Sequence, residues 1–229
     1  MRVYHILSAD HAISSVALKR MKISRYGELN DPFELMAGNL SDRNLRRAVN
    51  EWKAQFHKEK GMLCFSKDWI NPVLWSHYGD KHLGVALGFD IPDKYASPIE
   101  YSNTRLDIKF KDGNPEKGLD ETFVHKLVHT KFEHWRYEEE VRVHVGLDEG
   151  TKEGGLYFYN FNSMLILRKV ILGHNCELPI NKVRSLIESN FNNVEIIKAR
   201  LAFTKFEVVI NQRYKKNMDS GKKRILEKH

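Results

Sequence analysis

Four groups of residues in this chain have the side chains that do chemistry. Tyr4 and His5 stand together near the start, and Asn30, Asp31, Pro32, Phe33 and Glu34 form one run. Cys64-Phe65-Ser66 is followed by Trp75-Ser76-His77-Tyr78, then His82, then the glycine-punctuated apolar run LGVALGFD. Lys131 precedes Trp135-Arg136-Tyr137-Glu138-Glu139-Glu140-Val141-Arg142. A plain core is built more simply from Leu and Val, whereas aromatics that also hydrogen-bond suit a binding pocket. Glu138, Glu140 and Arg142 share one face if a strand begins at Glu138, because strand side chains alternate. Two carboxylates beside a guanidinium read as a polar site or as a salt-bridged, solvated sheet face. Asp31, Glu34, Glu138 and Glu140 also offer the hard oxygen ligands that divalent cations take. Asn30, Asp31 and Glu34 read equally as a tight turn with Phe33 plugging the core or as pocket residues. His125 and His129 have the spacing of a zinc pair, with His134 beyond. No Glu follows His125 and no further ligand is well spaced, so no metal is assigned.

Composition bounds what these groups can belong to. The chain has 229 residues, 41% hydrophobic and 11% aromatic, so a packed core is expected rather than wholesale disorder. There is no long apolar run of membrane-spanning length, and the polar residues scattered through MRVYHILSADHAISSVALKRM do not make a secretory signal. A cytoplasmic protein with no membrane partner is expected. Cys64 and Cys176, far apart and each in an apolar segment, read as buried free thiols. The formal charge is +7, and most of it comes from Arg213, Lys215, Lys216, Lys222, Lys223, Arg224 and Lys228, set against Asp219 and Glu227. Such a tail either holds a nucleic acid by counterion release or is a solvated terminus. One domain over 1–210 and a basic tail over 211–229 are expected.

The elements that must position the four groups follow from periodicity. RVYHIL, GMLCFS, LGVALGFD, EEVRVHVGL, LYFYNF, MLILRKVILG, VEIIKARLAF and KFEVVI read as strands. Ala9 to Met21, Asp42 to Lys58, Leu119 to Lys131 and Pro179 to Asn190 read as helices, with Ser41 or Asp42 as a cap and Pro179 in a first turn. Pro92 to Leu119 carries little pattern and reads as irregular, with a short strand near Ile99 to Tyr101. About eight strands and four helices in mixed order predict an α+β fold: a twisted, mixed, largely antiparallel sheet with flanking helices. No phosphate-cradling glycine loop and no nucleophile-elbow motif occurs.

LNDPFE, LCFS, WSHYGDKHLGVALGFD, the Lys131 to Arg142 pattern and VILG together resemble the bacterial domain of unknown function 2971, from Tyr4 to about Gly173. The layout is in turn similar to ADP-ribosyltransferases. That likeness implies an ADP-ribosyltransferase-like fold and an NAD-consuming mono-ADP-ribosyltransferase, a toxin or phage-defence effector acting on nucleic acid or protein, with a protein acceptor or antitoxin as partner. The catalytic residues it implies are His5 and Glu138 or Glu140. Tyr4, Asn30, Asp31, Glu34, Ser66, Trp75, His77, Tyr78 and Arg142 would line the NAD site. Cleaving the glycosidic bond of NAD builds positive charge on the ribose, which a nearby carboxylate stabilises. Tyr78 or Trp75 would cover the nicotinamide, His5 would donate to a ribose or adenylate oxygen, and Ser66 would support the wall. The rival readings are a metal-dependent nuclease-type effector using the four carboxylates and a non-enzymatic module that binds nucleic acid or a nucleotide.

Overall fold

The structure is a computed structural model and describes residues 1–114 and 117–214. The basic tail expected over 211–229 therefore lies, from Lys215 onward, outside the described residues.

Local chemistry explains most element boundaries. The first strand, β1, is Arg2–Leu7. Helix α1, Ala9–Ala17, starts where Ser8 accepts a hydrogen bond from the His11 N–H. It stops short of the Met21 expected from the sequence, because Lys19 turns left-handed at φ 51 and Met21 passes into β2, Arg20–Lys22. A short β3, Ser24–Arg25, follows. Helix α2, Arg43–Glu59, is capped by the Asp42 carboxylate accepting from Leu45 N. It leads straight into β4, Lys60–Ser66. Helix α3, Pro72–His77, carries Trp75, Ser76 and His77; Asn71 caps it and Pro72 fills its first turn. Trp75, Ser76 and His77 thus stand on a short helix, since Asn-Pro begins one. Next come β5, Val85–Asp90, β6, Ser97–Pro98, and β7, Glu100–Ser102. Helix α4, Glu121–His129, is capped by Asp120 and runs into β8, Thr130–Phe132. A 3-10 turn over Glu133–Glu138 precedes β9, Glu140–Gly146. The chain closes with β10, Thr151–Glu153, β11, Leu156–Asn160, β12, Ile166–Leu172, α5, Ile180–Asn190, β13, Glu195–Leu201, and β14, Val208–Ile210.

The fold is α+β with a mixed, mostly antiparallel sheet and several helices, as the sequence predicts. The chain divides into two compact units. Unit 1 holds residues 1–19, 66–91 and 161 onward. Its strands lie in the order β14-β13-β12-β5-β1, antiparallel except for β12 and β13, which α5 joins as a parallel pair. Ala12 and Val16 of α1 and Val183 and Ile187 of α5 are buried with Val85, Leu87, Val170 and Leu172 of β5 and β12, so both helices cover one sheet face. Unit 2 holds residues 20–65 and 92–160. There β4 lies beside β9, with β3 and β6 flanking them, and β10-β11-β2 form a separate three-stranded sheet. Its core gathers Tyr26, Leu35, Met62 and Val128 in one cluster and Val49, Leu119, Phe123 and Leu127 in another, with Trp52 of α2 packed against both.

One glycine fixes the entry to β5. A Cβ at Gly84 would lie 2.2 Å from the Leu7 carbonyl oxygen and 2.8 Å from the Gly79 carbonyl oxygen. Both are backbone atoms and neither can swing aside. Gly84→Ala is therefore expected to destabilise the protein by about 2 kcal/mol or more, read as a drop in the urea midpoint at unchanged slope.

Candidate functional site

Unit 2 buries an unusual concentration of charge. Arg142, on β9, is 1% exposed. Its Nη1 and Nη2 donate to the two carboxylate oxygens of Glu34 at 2.7 and 2.9 Å. Its Nε and Nη2 donate to the two oxygens of Glu140 at 2.7 and 3.0 Å, and Nη1 also reaches the Val128 carbonyl at 3.0 Å. All three guanidinium nitrogens are thus committed, a fork that Lys lacks. Lys131, on β8, donates to Glu138 at 2.5 Å and to Glu140 at 3.2 Å, and its ammonium lies 4.7 Å from the Trp135 ring centre. The Cys64 thiol bonds to Glu140 as well. Burial alone would raise the Glu140 pKa; Arg142 and Lys131 outweigh it and hold the carboxyl down at about 2. Burial likewise opposes the charge on Lys131, yet Glu140 and Glu138 push its pKa up. For Cys64 burial and the Glu140 charge act together and raise the thiol, so it is a poor nucleophile. Three buried carboxylates face two buried cations.

The backbone is strained where it delivers these groups. Leu35, next to Glu34, is left-handed at φ 59, and Glu139 is left-handed at φ 42. The strand begins at Glu140 and not at Glu138. Glu138 ends the preceding 3-10 turn, and the left-handed Glu139 sends both its neighbours inward while staying exposed itself. The salt-bridged face that the sequence allowed is present, but it is buried rather than solvated. Asp31 is buried and accepts from Phe33 N at 2.9 Å, holding the DPFE turn, while Asn30 is exposed.

A cleft of about 250 Å³ opens beside this cluster, lined by Phe33, Ala37, Ser102, Asn103, Thr104, Arg105, Thr130, Lys131 and Phe132. Lys131 belongs to both. Phe33 and Phe132 are large exposed rings, and the Arg105 guanidinium lies 4.8 Å from the Phe33 ring centre. The sequence missed Ser102 to Arg105 because they sit in the patternless middle segment. It offered no signal beyond one Arg among hydroxyls.

A chain of neutral side chains runs behind the cluster. His129 Nδ1 lies 2.7 Å from the His125 carbonyl and so must donate to it. Its Nε2 then accepts from His144 Nε2 at 3.0 Å, and His144 Nδ1 accepts from the Tyr26 hydroxyl at 2.8 Å. Burial, His129 and Arg142 push His144 down to about 4, and burial lowers His129. The His125 ring stacks on that of His129, 4.1 Å between centres, and His125 joins the relay through its backbone carbonyl. Among the described residues no group of three or more His, Cys, Asp or Glu side chains is placed to hold a metal.

The other residues proposed from the sequence belong to unit 1. Tyr4 pairs with Gly88 and with Ser66, and its ring lies against the space a Gly88 side chain would need. His5 pairs with Leu87 on the same strand. Trp75 is wholly buried, with its indole N–H donating to the Trp69 carbonyl at 2.7 Å, so its ring is core and covers no ligand. His77 is exposed and meets Tyr78 edge to face. The structure therefore brings Glu34, Glu138, Glu140 and Arg142 together in unit 2, with Lys131 and Cys64 added. It places Tyr4, His5, Ser66, Trp75, His77 and Tyr78 in unit 1.

Residues 74–143 match the model of a family described as a protein of unknown function, DUF2971. This is the family that the motifs resemble. The DUF2971 stretch contains WSHY, Arg105, Lys131, Glu138, Glu140 and Arg142, whereas Glu34 and Cys64 precede it. No curated protein and no solved structure matches the chain. No helix among the described residues is long and apolar enough to cross a membrane.

Two outcomes test the cluster. Arg142→Met removes the guanidinium that pairs Glu34 and leaves Glu140 with Lys131 alone, and is expected to cost roughly 3–5 kcal/mol, measured by urea unfolding, with Arg142→Lys recovering only part. Acid should also destabilise the protein. His144 keeps a folded pKa near 4 against an ordinary 6.5, so its contribution is complete above pH 6.5 and is lost as pH falls toward 4. Glu140 adds a second loss between 4.5 and about 2. For His144 the first window is worth up to about 3 kcal/mol, and His144→Gln should reduce the pH dependence of the unfolding midpoint there, with His129, whose pKa burial also lowers, supplying what remains.

Proposed function

We propose that the protein binds a nucleotide in the unit 2 cleft and that NAD is its substrate, with ADP-ribose passed to a nucleic-acid or protein acceptor. The observation that carries this reading is Lys131, which lines the cleft and at the same time holds Glu138 and Glu140. Exposed Phe rings suit a flat heterocycle, and Arg105 and the Ser102 to Thr104 hydroxyls and amide suit phosphate and ribose oxygens. At about 250 Å³ the cleft is near the lower end of ligand pockets and fits one nucleoside-sized half of a dinucleotide.

In this reaction the bond between ribose C1′ and nicotinamide breaks, and its electron pair leaves with the nicotinamide. The acceptor's nucleophile forms the new bond to C1′ and gives up its proton. A carboxyl held at about 2 is a weak base, so Glu140 serves by charge, stabilising the cationic ribose. Glu138, which Lys131 ties to the cleft wall, takes the proton. The ADP-ribosyltransferase-like fold and the toxin or defence setting belong to the same proposal and draw on likeness of layout.

A second reading has its own support. Arg142 and Lys131 already balance most of the acidic charge, an arrangement that suits a module that binds a nucleotide and turns nothing over. Incubation with labelled NAD separates the two. A transferase releases nicotinamide without added metal, Glu138→Gln lowers the rate by about a hundredfold or more, and Arg105→Ala raises KM. Saturable NAD binding with no nicotinamide release identifies the module, and a folded protein that neither binds nor cleaves NAD ends both readings.

A further inference from the structure

In unit 1, β13 and β14 form a hairpin at the edge of the sheet, closed by Ala202 N donating to the Glu207 carbonyl at 2.9 Å. Its tip is Phe203-Thr204-Lys205-Phe206. Phe206 is 100% exposed and Phe203 89%. Full exposure of two large rings on one short turn has no packing rationale, because each gives up burial that an ordinary turn residue would not need. The surroundings are basic. The Arg200 guanidinium lies 4.5 Å from the Phe203 ring centre, and Lys205 stands between the two rings in sequence. Lys205 pairs with the half-buried Glu207 only at 3.7 Å and is itself 69% exposed, so that contact neutralises little. Arg213 follows in the sequence.

We propose that this hairpin is a binding site for single-stranded nucleic acid, with Phe203 and Phe206 stacking on bases and Arg200 and Lys205 meeting phosphates. Aromatic platforms set among cations are the combination that holds single strands without reading sequence, since every base has a π face and every nucleotide a charge. A duplex hides its base faces and gains only the charge term. Arg200, already seated against Phe203, pre-orders one ring beside a cation. The proposal concerns unit 1 and stands whether or not unit 2 cleaves NAD.

The test uses the full chain and a fluorescein-labelled, mixed-sequence DNA strand of about 16 nucleotides, followed by anisotropy between about 50 and 200 mM salt. The wild type should bind the single strand more tightly than the matching duplex. Phe203→Ser/Phe206→Ser should weaken the single-strand complex roughly tenfold or more while leaving the salt slope intact. Arg200→Ala/Lys205→Ala should instead make the slope shallower. Phe203, Lys205 and Phe206 are exposed and Arg200 is half-buried, and an unchanged thermal melt shows that the fold is retained. Equal binding by the wild type and the double Phe variant overturns the site, since charge alone then accounts for the affinity. Absence of binding at the lowest salt overturns it too. So does a Phe-dependent capture of anionic-lipid vesicles, or Phe-dependent self-association, by a protein that ignores the strand.

Discussion

Arg142 sits where almost nothing charged is tolerated, and its guanidinium is bonded on every side. Glu34 lies 108 positions earlier in the chain and Glu140 only two positions before it. Taking such an ion out of water costs several kcal/mol, and only a full set of short, well-aimed hydrogen bonds offsets that. The bidentate contact to Glu34 fixes the LNDPFE turn against β9. The contact to Glu140 fixes the start of β9, and the Val128 carbonyl ties in the end of α4. Left-handed backbone at Leu35 and Glu139 is tolerated because these bonds over-determine the conformation. Unit 2 is organised around one cation.

That arrangement has chemical consequences. Lys131 offsets part of the remaining acidic charge and reaches the wall of the cleft, which joins that wall to Glu138 and Glu140. The two carboxylates, adjacent but for one residue, are not equivalent. Glu140 is held by Arg142, Lys131 and Cys64, which keeps it ionised at neutral pH. Glu138 shares Lys131 with it and ends a turn rather than starting a strand. Different surroundings give like residues different electrostatics. The Tyr26–His144–His129 relay behind them is neutral chiefly because burial disfavours a charged imidazole, and Arg142 nearby adds to that.

Much of the fold was legible because it depends on local pattern. The alternation in RVYHIL and EEVRVHVGL and the capping at Asp42 each rest on a few neighbouring residues, and the structure follows them. The helix at Pro72–His77 was less visible, since six residues are too few to show a period and only the Asn71-Pro72 start announces it. Trp75 illustrates a different limit. Its type is right for a ligand wall or for a core pillar, and the indole bond to the Trp69 carbonyl decides for the core. The cleft residues from Ser102 to Arg105 had no pattern to betray them.

By itself, then, the sequence determined the element types, the mixed order that makes an α+β fold, and the acidic and basic residue types that a polar site requires. The DPFE turn and the Lys131 to Arg142 segment were recognisable as chemistry before any coordinates. Tertiary structure decided which of those groups meet. Whether Glu140 and Arg142 face water or are sealed from it depends on what packs over β9, and that covering comes from Glu34, Val128 and Lys131 on other segments. Periodicity reports which side of a strand a residue occupies; only packing reports what lies on that side, because burial is a property of the whole fold and not of the strand.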